Sequence, residues 1–146
     1  MCIRDRCVPL IGFGQCVSGN CSDGYGVYKY SNKDTYNGEF RFGRIHGLGT
    51  YFWANGAIYS GEYVNGSRNG LGRFTQANGN VYEGTWSNNL KQGFGVYIFN
   101  ENTKFYGDRY VGEFKNDKMD GYGIYTRNNG EIYKGLWRNG SLIQQE

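Results

Sequence analysis

The chain has 146 residues, a formal net charge of +3 and a single histidine. Glycine accounts for 25 residues and aromatic side chains for 18% of the chain, whereas proline occurs once. So much glycine is typical of collagen or of disordered chains, but the aromatic content and the lack of a G-X-Y period exclude both. The small charge, without a concentrated basic stripe, also argues against a nucleic-acid-binding protein.

The first fourteen residues are not expected to belong to the fold. Residues 1–6, MCIRDR, resemble the translated transposon end used in sequencing-library preparation, and we interpret them as an assembly artefact. Residues 7–14 resemble the end of a signal peptide, because Gly12 and Gly14 place small residues before a cleavage site at Gln15. The alternative is an ordinary N-terminal strand or loose end.

We therefore expect an exported protein, either periplasmic, on the cell surface or secreted, with a cytoplasmic protein as the alternative. No segment after residue 14 approaches the 18 apolar residues of a membrane span.

Residues 15–35 are predicted to form an incomplete first repeat that caps the sheet. They include Cys16 and Cys21, which are separated by four residues with a favourable Gly-Asn turn. In an oxidising compartment we expect a disulfide between them, and in a reducing one two small, partly buried thiols. A zinc site would need further ligands, for which only Cys7 and His46 are candidates, so we predict no metal and no cofactor.

A short phrase recurs from residue 36 to residue 137. Its copies read YNGEF, YSGEY, YEGTW, YVGEF and YKGLW, and their opening tyrosines are 23, 23, 28 and 23 residues apart. Four copies continue, eleven residues after the tyrosine, into a G-x-G. Such repetition predicts a stacked-repeat architecture. The predicted units are 36–58, 59–81, 82–109, 110–132 and a partial 133–137, before a C-terminal cap or tail at 138–146.

The repeat predicts β-hairpins. Short aromatic and β-branched runs alternate with Asn-Gly turns, and no sustained helical period is present. We therefore predict a single all-β domain, an elongated, twisted antiparallel meander of hairpins. The five extra residues of the third interval, 102–106, are predicted to enlarge a surface loop.

The period also predicts a register. In the first full unit we expect strands at 36–40 and 47–53, joined by a turn at 41–46. A three-residue loop at 55–57, with Gly56 left-handed, would then place Tyr59 opposite Trp53. The predicted strand pairs are Phe40 with Gly47, Gly38 with Gly49, and Tyr36 with Tyr51.

One face of this sheet is predicted to consist of aromatic rings and glycines. We expect the ring at the fifth position of each phrase to lie flat over a facing glycine, where any Cβ would displace it. The residues assigned to this structural face are Tyr36, Gly38, Phe40, Gly47, Gly49, Tyr59, Gly61, Tyr63, Gly70, Gly72, Tyr82, Gly84, Trp86, Gly93, Gly95, Tyr110, Gly112, Phe114, Gly121, Gly123, Tyr133, Gly135 and Trp137.

The opposite face is predicted to be mixed, and either to stay partly solvated or to pack on a second molecule. It carries an acidic row of Glu39, Glu62 and Glu113. It also carries an apolar row of Tyr25, Leu48, Leu71, Phe94 and Tyr122.

The phrase Y-x-G-x-[FYW], followed by G and then [HNQD]-G-x-G at a 23-residue step, resembles the MORN (membrane occupation and recognition nexus) repeat. The resemblance covers roughly residues 24–137. The copy at 36–49 fits best, whereas the copy at 82–95 departs most, because Asn89 replaces the turn glycine and Gln92 the histidine.

The resemblance implies one extended, twisted antiparallel sheet that serves in protein–protein scaffolding and sometimes in self-association. It also implies that some members contact phospholipid head groups. Kinase or methyltransferase chemistry in larger relatives belongs to other domains, for which this sequence has no counterpart.

Enzymatic activity is not predicted. Glu39 and Glu62 recur at a separation that a glycosidase could use, but a row generated by a repeat is more simply a solvated face. His46 occupies a column of polar side chains that can hydrogen-bond a turn backbone. The other members of that column are Asn69, Gln92 and Asp120.

The turns are predicted to place a discontinuous basic ridge along one edge, formed by Arg41, Arg44, Arg68, Lys91, Lys115, Lys118 and Arg138. Solubility and protection of the sheet edge are its simplest role. The sequence thus predicts a non-catalytic scaffold that binds an unidentified protein or a copy of itself. The alternative is an envelope-associated module whose ridge binds anionic phospholipid or glycan.

Overall fold

A computed structural model of the chain describes residues 14–101 and 103–146. The segment interpreted as an artefact, 1–6, and all but the last residue of the presumed signal-peptide remnant, 7–14, lie outside the described residues. Twelve β-strands make up the regular structure of the described part: β1 Gln15–Gly19, β2 Gly24–Lys29, β3 Thr35–Arg41, β4 Arg44–Phe52, β5 Ile58–Val64, β6 Ser67–Thr75, β7 Val81–Ser87, β8 Leu90–Ile98, β9 Arg109–Lys115, β10 Lys118–Thr126, β11 Ile132–Arg138 and β12 Ser141–Gln145.

The strands form one open sheet in which their order in space is their order in sequence, from β1 to β12. Neighbouring strands are antiparallel throughout. The prediction of an all-β antiparallel meander of hairpins is confirmed.

The hairpin turn of each full repeat consists of two residues that both have a left-handed backbone conformation. In the first, Phe42 has a φ of 50° and Gly43 a φ of 70°, the conformation of the tight hairpin turn whose twist matches that of the flanking strands. Asn89 takes the place of the turn glycine with a φ of 68°, so the most divergent repeat keeps this geometry. The equivalent pairs are Asn65-Gly66, Asn88-Asn89, Asn116-Asp117 and Asn139-Gly140.

This turn is shorter than predicted, and one predicted strand pair is wrong. β4 begins at Arg44, so Phe40 lies opposite Ile45 and not opposite Gly47. The register then shifts at a β-bulge, in which Gly47 adopts a φ of 65°. Residues of β4 that were assigned to the turn therefore belong to the strand. Two predicted pairs are confirmed, namely Gly38 with Gly49 and Tyr36 with Tyr51.

Two members of the predicted acidic row, Glu62 and Glu113, bind these bulges and are not merely solvated. A carboxylate oxygen of Glu62 accepts a hydrogen bond of 2.9 Å from the backbone N–H of Leu71. Glu113 makes the equivalent bond at 2.7 Å. In the unit that begins at residue 82, Thr85 takes this position and donates from its hydroxyl to the carbonyl of Gln92. In these three units the fourth position of the phrase thus satisfies backbone groups that the bulge leaves unpaired.

The connection between repeats has the predicted type but a shifted position. Trp53 closes it, and the N–H of Gly56 donates to the Trp53 carbonyl over 3.0 Å. The three loop residues are therefore 54–56, with Gly56 left-handed at a φ of 90°. Because Trp53 closes the loop, Tyr59 lies opposite Tyr51 and not opposite Trp53, as was predicted.

Glycines lie directly opposite one another across eleven consecutive strands. This glycine row leaves a strip of backbone without side chains, on which neighbouring groups can approach closely. Its members, from β1 to β11, are Gly19, Gly26, Gly38, Gly49, Gly61, Gly72, Gly84, Gly95, Gly112, Gly123 and Gly135.

A tyrosine ring covers the two facing glycines in each of the four hairpins from β3 to β10. A Cβ at Gly49 would overlap the hydroxyl and ring atoms of Tyr36, and the Tyr36 hydroxyl donates over 3.1 Å to the carbonyl of Glu39. The ring over the glycines is therefore that of the first position in the phrase, whereas the prediction of the fifth position is wrong. The four such tyrosines have no exposed surface, and they are Tyr36, Tyr59, Tyr82 and Tyr110.

The fifth-position rings meet these tyrosines edge to face. The ring centroid of Tyr59 lies 5.1 Å from that of Tyr63 in its own unit and 5.3 Å from that of Trp86 in the next. Such pairs contribute about 0.5–1.5 kcal/mol beyond their burial. An unbroken series of rings from Phe40 to Trp137 therefore joins the repeats. The same arrangement recurs at Tyr36, Tyr82 and Tyr110.

Tyr133 departs from this pattern, although it opens the last copy of the phrase. It is only partly buried, and its hydroxyl donates to a carboxylate oxygen of Glu131 at 3.1 Å. The cause lies in the final strand, where Gln145 and not a glycine faces Gly135. Without the paired glycines, the ring has no strip of bare backbone to cover.

We expect Gly49→Val to destabilise the fold by about 3 kcal/mol, because its side chain would displace the buried Tyr36 ring. Urea denaturation followed by tyrosine and tryptophan fluorescence measures the change. Leu48→Val is the matched control, since the neighbouring Leu48 points to the other face and is 60% exposed. Its effect should stay within about 0.5 kcal/mol. Similar losses for both variants would contradict the packing of Tyr36 on the glycine row.

Candidate interaction surfaces

The aromatic face is open above its buried tyrosines. A depression of about 440 Å³ lies at the N-terminal end, between Tyr28, Tyr30 and Ile45. A second of about 440 Å³ lies at the C-terminal end, where Phe105 of the longer connection approaches Phe99 with ring centroids 5.3 Å apart. A smaller one of about 270 Å³ continues from it towards the centre of the sheet. This face therefore forms a trough, which we call the aromatic trough, above its packed floor.

A disulfide lies at one end of the trough. The sulfur atoms of Cys16 and Cys21 are 2.06 Å apart, with their Cα atoms 5.9 Å apart. Cys21 also borders the N-terminal depression. The bridge ties β1 to the segment that leads into β2.

The loops between repeat units, which border the trough, are held by buried acidic and amide side chains that the sequence analysis did not single out. One carboxylate oxygen of Asp34 accepts from the backbone N–H of Ala54 at 2.8 Å, and the other accepts from the Tyr51 hydroxyl at 2.9 Å. Asp108 binds the corresponding N–H at 2.9 Å and the hydroxyl of Tyr125 at 2.5 Å. Each such residue links the start of its own unit to the loop that follows.

The pKa of Asp34 reflects these bonds. Burial by itself raises the pKa of this carboxyl, but hydrogen bonds from Ala54, Tyr51 and Asn32 outweigh the effect and lower the pKa below its usual range. The sequence carried a signal for this column, because a polar residue stands two positions before several of the repeat tyrosines. The buried residues at this position are Asp34, Asn80 and Asp108.

Two residues of the predicted basic ridge instead fold onto the aromatic face. The guanidinium carbon of Arg68 lies 4.3 Å from the ring centroid of Trp86, and the Nζ atom of Lys91 lies 5.0 Å from that of Tyr97. They do so because both stand in strands, with Arg68 opposite Tyr63, on the side of the sheet that carries the rings. Burial lowers the pKa of both cations.

The ridge is consequently split into two clusters. Arg41 lies opposite Arg44 at the turn between β3 and β4. Lys115, Lys118 and Arg138 surround a depression of about 350 Å³ at the other end. All five side chains are exposed.

The turns themselves stack on one another. His46 accepts, through Nδ1, a hydrogen bond of 3.4 Å from the backbone N–H of Asn65, and the N–H of Gly66 donates to the carbonyl of Ile45 over 2.7 Å. The polar column therefore binds the turn of the following unit and not its own. Equivalent bonds join Asp23 to Phe42, Asn69 to Asn88, Gln92 to Asn116 and Asp120 to Asn139.

The opposite face presents the apolar row to solvent. One large apolar side chain projects from the second strand of each hairpin, and the strand next to it supplies a glutamate, a threonine or a leucine at the same level. Neighbours in this apolar row are two strands apart, or about 10 Å. Its members and their exposed fractions are Tyr25 62%, Leu48 60%, Leu71 64%, Phe94 60% and Tyr122 60%.

Among the described residues, no group of three or more histidine, cysteine, aspartate or glutamate side chains is arranged to hold a metal ion. The same part of the chain has no helix with the length and apolar character needed to cross a bilayer.

Comparison with known families identifies the repeat. The family model described as the MORN repeat matches residues 22–35, 36–58, 59–81, 82–104 and 110–132. The chain belongs to the MORN-repeat family. The predicted family is thereby confirmed, and MORN repeats indicate a repeat scaffold that interacts with proteins or membranes.

Other comparisons add little to this assignment. Among curated protein sequences, none matches the chain. One similar solved structure is the SAS-4 (dCPAP) TCP domain of Drosophila melanogaster in complex with a proline-rich motif of Ana2 (dSTIL). It is 12% identical, the alignment covers 94% of this chain and 99% of that chain, and the TM-score is 0.41. At that score the likeness carries no argument about this MORN-repeat protein.

We expect Asp34→Ala to lower the free energy of unfolding at pH 7 by about 1–2 kcal/mol, since the Ala54 N–H and the Tyr51 hydroxyl would lose their acceptors. Because the folded pKa of Asp34 lies below its unfolded value, this contribution is present above the unfolded pKa and is lost as pH falls through the folded pKa. Urea denaturation at a series of pH values should show the variant and the wild type converging in acid. The exposed Glu83→Ala, near Arg73 at 3.8 Å, is the control and should change little.

Proposed function

We propose that this MORN-repeat protein is a non-catalytic scaffold that binds protein through the apolar row of its sheet. The observation that carries the proposal is the exposure of five large apolar side chains, 60–64% each, in one line across the sheet. An isolated exposed apolar side chain is common on soluble proteins, but several in one line on the same sheet face favour an interaction surface.

The pattern of the apolar row supports a protein as the occupant. Four of the five apolar side chains are flanked across the strand pair by a polar or charged one, as Leu48 is by Glu62 and Phe94 by Glu113, whereas Tyr122 lies opposite Leu136. A protein surface can supply apolar groups and hydrogen-bond donors in the same alternation. A second copy of the chain could do so through a two-fold axis, because an isologous contact needs one patch that complements itself.

We expect Leu48→Ser combined with Leu71→Ser to abolish association without unfolding the chain, because both side chains are exposed. Sedimentation velocity over a range of protein concentrations measures self-association. If the wild type sediments as a monomer, cross-linking in the source cells before purification measures attachment to another protein.

The matched control is Phe42→Ser combined with Ile132→Ser, which removes two apolar side chains of similar exposure, 80% and 61%, away from the apolar row. The control should associate like the wild type. Equal behaviour of all three proteins, or a wild type that neither self-associates nor cross-links, would refute the scaffold proposal.

A second candidate is contact with anionic lipid through the C-terminal basic cluster. Lys115, Lys118 and Arg138 converge on one depression, which Asp120 also borders. Each basic residue near an anionic bilayer contributes about 1 kcal/mol. Three of them support weak adhesion that salt would screen.

We expect flotation with phosphatidylserine vesicles at low salt to weaken by up to about a hundredfold when Lys115, Lys118 and Arg138 are all replaced by glutamine. Arg41→Gln with Arg44→Gln tests whether position matters or only net charge. An absence of vesicle binding by the wild type at low salt would eliminate the lipid candidate, and it would leave the protein scaffold proposal untouched.

A further inference from the structure

We propose that the middle of the aromatic trough, around Arg68 and Lys91, binds an extended segment of a partner protein in which carboxylate side chains alternate with apolar ones. This surface lies on the face opposite the apolar row, so it is a second binding site and is independent of the first. The proposal rests on two half-buried cations that form no salt bridge within the described residues and are set among aromatic rings.

Arg68 is oriented but not neutralised. Its guanidinium lies over Trp86 at 4.3 Å and over Phe74 at 5.2 Å. Its Nη2 donates to the backbone carbonyl of Asn89 at 2.9 Å, and its Nε reaches the side-chain oxygen of the same residue only at 3.5 Å. Both partners are uncharged, so the planar group keeps its full charge and has N–H groups left for a carboxylate.

Lys91 occupies the equivalent position one repeat later. Its Nζ lies 5.0 Å from the ring centroid of Tyr97 and 5.6 Å from that of Tyr82. The ion pairs formed within the described residues do not include Lys91 or Arg68. Asp117 attracts both cations electrostatically but pairs with neither, and one of its carboxylate oxygens accepts a hydrogen bond of 2.9 Å from the backbone N–H of Lys91.

Packing on the rings does not require a cation at this position. The same position in the first and fourth units carries Ile45 and Met119, which pack against the core without charge. Burial lowers the pKa of both Arg68 and Lys91, which means that the folded protein holds their charge at a cost. A carboxylate from outside would offset that cost through charge-assisted hydrogen bonds.

The geometry selects an extended peptide. Arg68 stands in β6 and Lys91 in β8, so their backbones are two strands, or about 10 Å, apart across the sheet. A peptide running across the strands presents same-side residues at about 7 Å intervals, which two long, flexible side chains can span. Apolar residues of the peptide would contact the exposed parts of the rings and the depression beside Tyr97, Phe99 and Met119.

The test uses a fluorescently labelled peptide of alternating glutamate and leucine, and a charge-reversed peptide of alternating lysine and leucine. Fluorescence anisotropy should show that the wild-type chain binds the glutamate peptide, less tightly as salt rises, and does not bind the lysine peptide. Arg68→Gln with Lys91→Gln should weaken binding by at least about tenfold. The charge-retaining exchange Arg68→Lys with Lys91→Arg should preserve most of it.

The matched control is Arg41→Gln with Lys115→Gln, which removes one arginine and one lysine that are both exposed. Binding should be unchanged in this control. In the wild type, NMR titration should shift the indole signal of Trp86 and leave the backbone signals of Leu48 and Leu71 in place, a result that needs no variant to fold.

Several results would overturn the proposal. Equal weakening in both glutamine pairs would mean a non-specific response to net charge, and unchanged binding in the Arg68 and Lys91 pair would mean that these cations only cover the rings. Dependence of phosphatidylserine vesicle binding, and not of peptide binding, on Arg68 and Lys91 would assign the trough to lipid. Loss of association through the apolar row affects none of these outcomes.

Discussion

A buried tyrosine lying over two facing glycines is the contact on which the rest of the structure depends. A row of glycines across a sheet would by itself be weak, since glycine has no side chain to pack and loses the most entropy on folding. The Tyr36 ring fills the strip that Gly38 and Gly49 leave bare, and its hydroxyl binds the Glu39 carbonyl. The interaction fixes the distance in the sequence from the tyrosine to its two glycines, whereas the connection between units can vary, as the 28-residue step from Tyr82 to Tyr110 shows.

Three further sets of contacts join each unit to the next, and all are local. The rings meet edge to face across the unit boundary, as Tyr59 meets Trp86. The turns are bonded to each other through side chains such as that of His46, and the loops are held by side chains such as that of Asp34. Because each set connects neighbours only, stability is close to a sum over units and their interfaces.

Much of this could be predicted from the sequence, because the 23-residue step and the alternation along strands determine which side chains share a face. The pairing of Gly38 with Gly49 and the left-handed Gly56 followed from that reasoning. The bulge did not, because Gly47 in a G-x-G is as compatible with a regular strand as with a left-handed residue. A register without the bulge makes the turn too long and places its basic residues on the edge.

The candidate surfaces were predictable to a different degree. The apolar row followed from the period alone, since Leu48 and Leu71 occupy one column. The placement of Arg68 and Lys91 was missed because their charge suggested solvent, although Ile45 and Met119 in the same column indicated a position facing the core. The residue types at equivalent positions of the repeats therefore indicate the placement of Arg68 and Lys91 better than their own charge does.

Because the hairpins share one strand geometry, the sheet grows in equal steps. Inserting a whole unit of 23 residues would add two strands, or about 10 Å, to the sheet. Both faces would widen by that amount, and the existing strands would keep their positions. Inserting a single residue within a strand would exchange the two faces from that point onward. The width of both faces can therefore change during evolution only in fixed increments, which makes this sheet a molecular ruler.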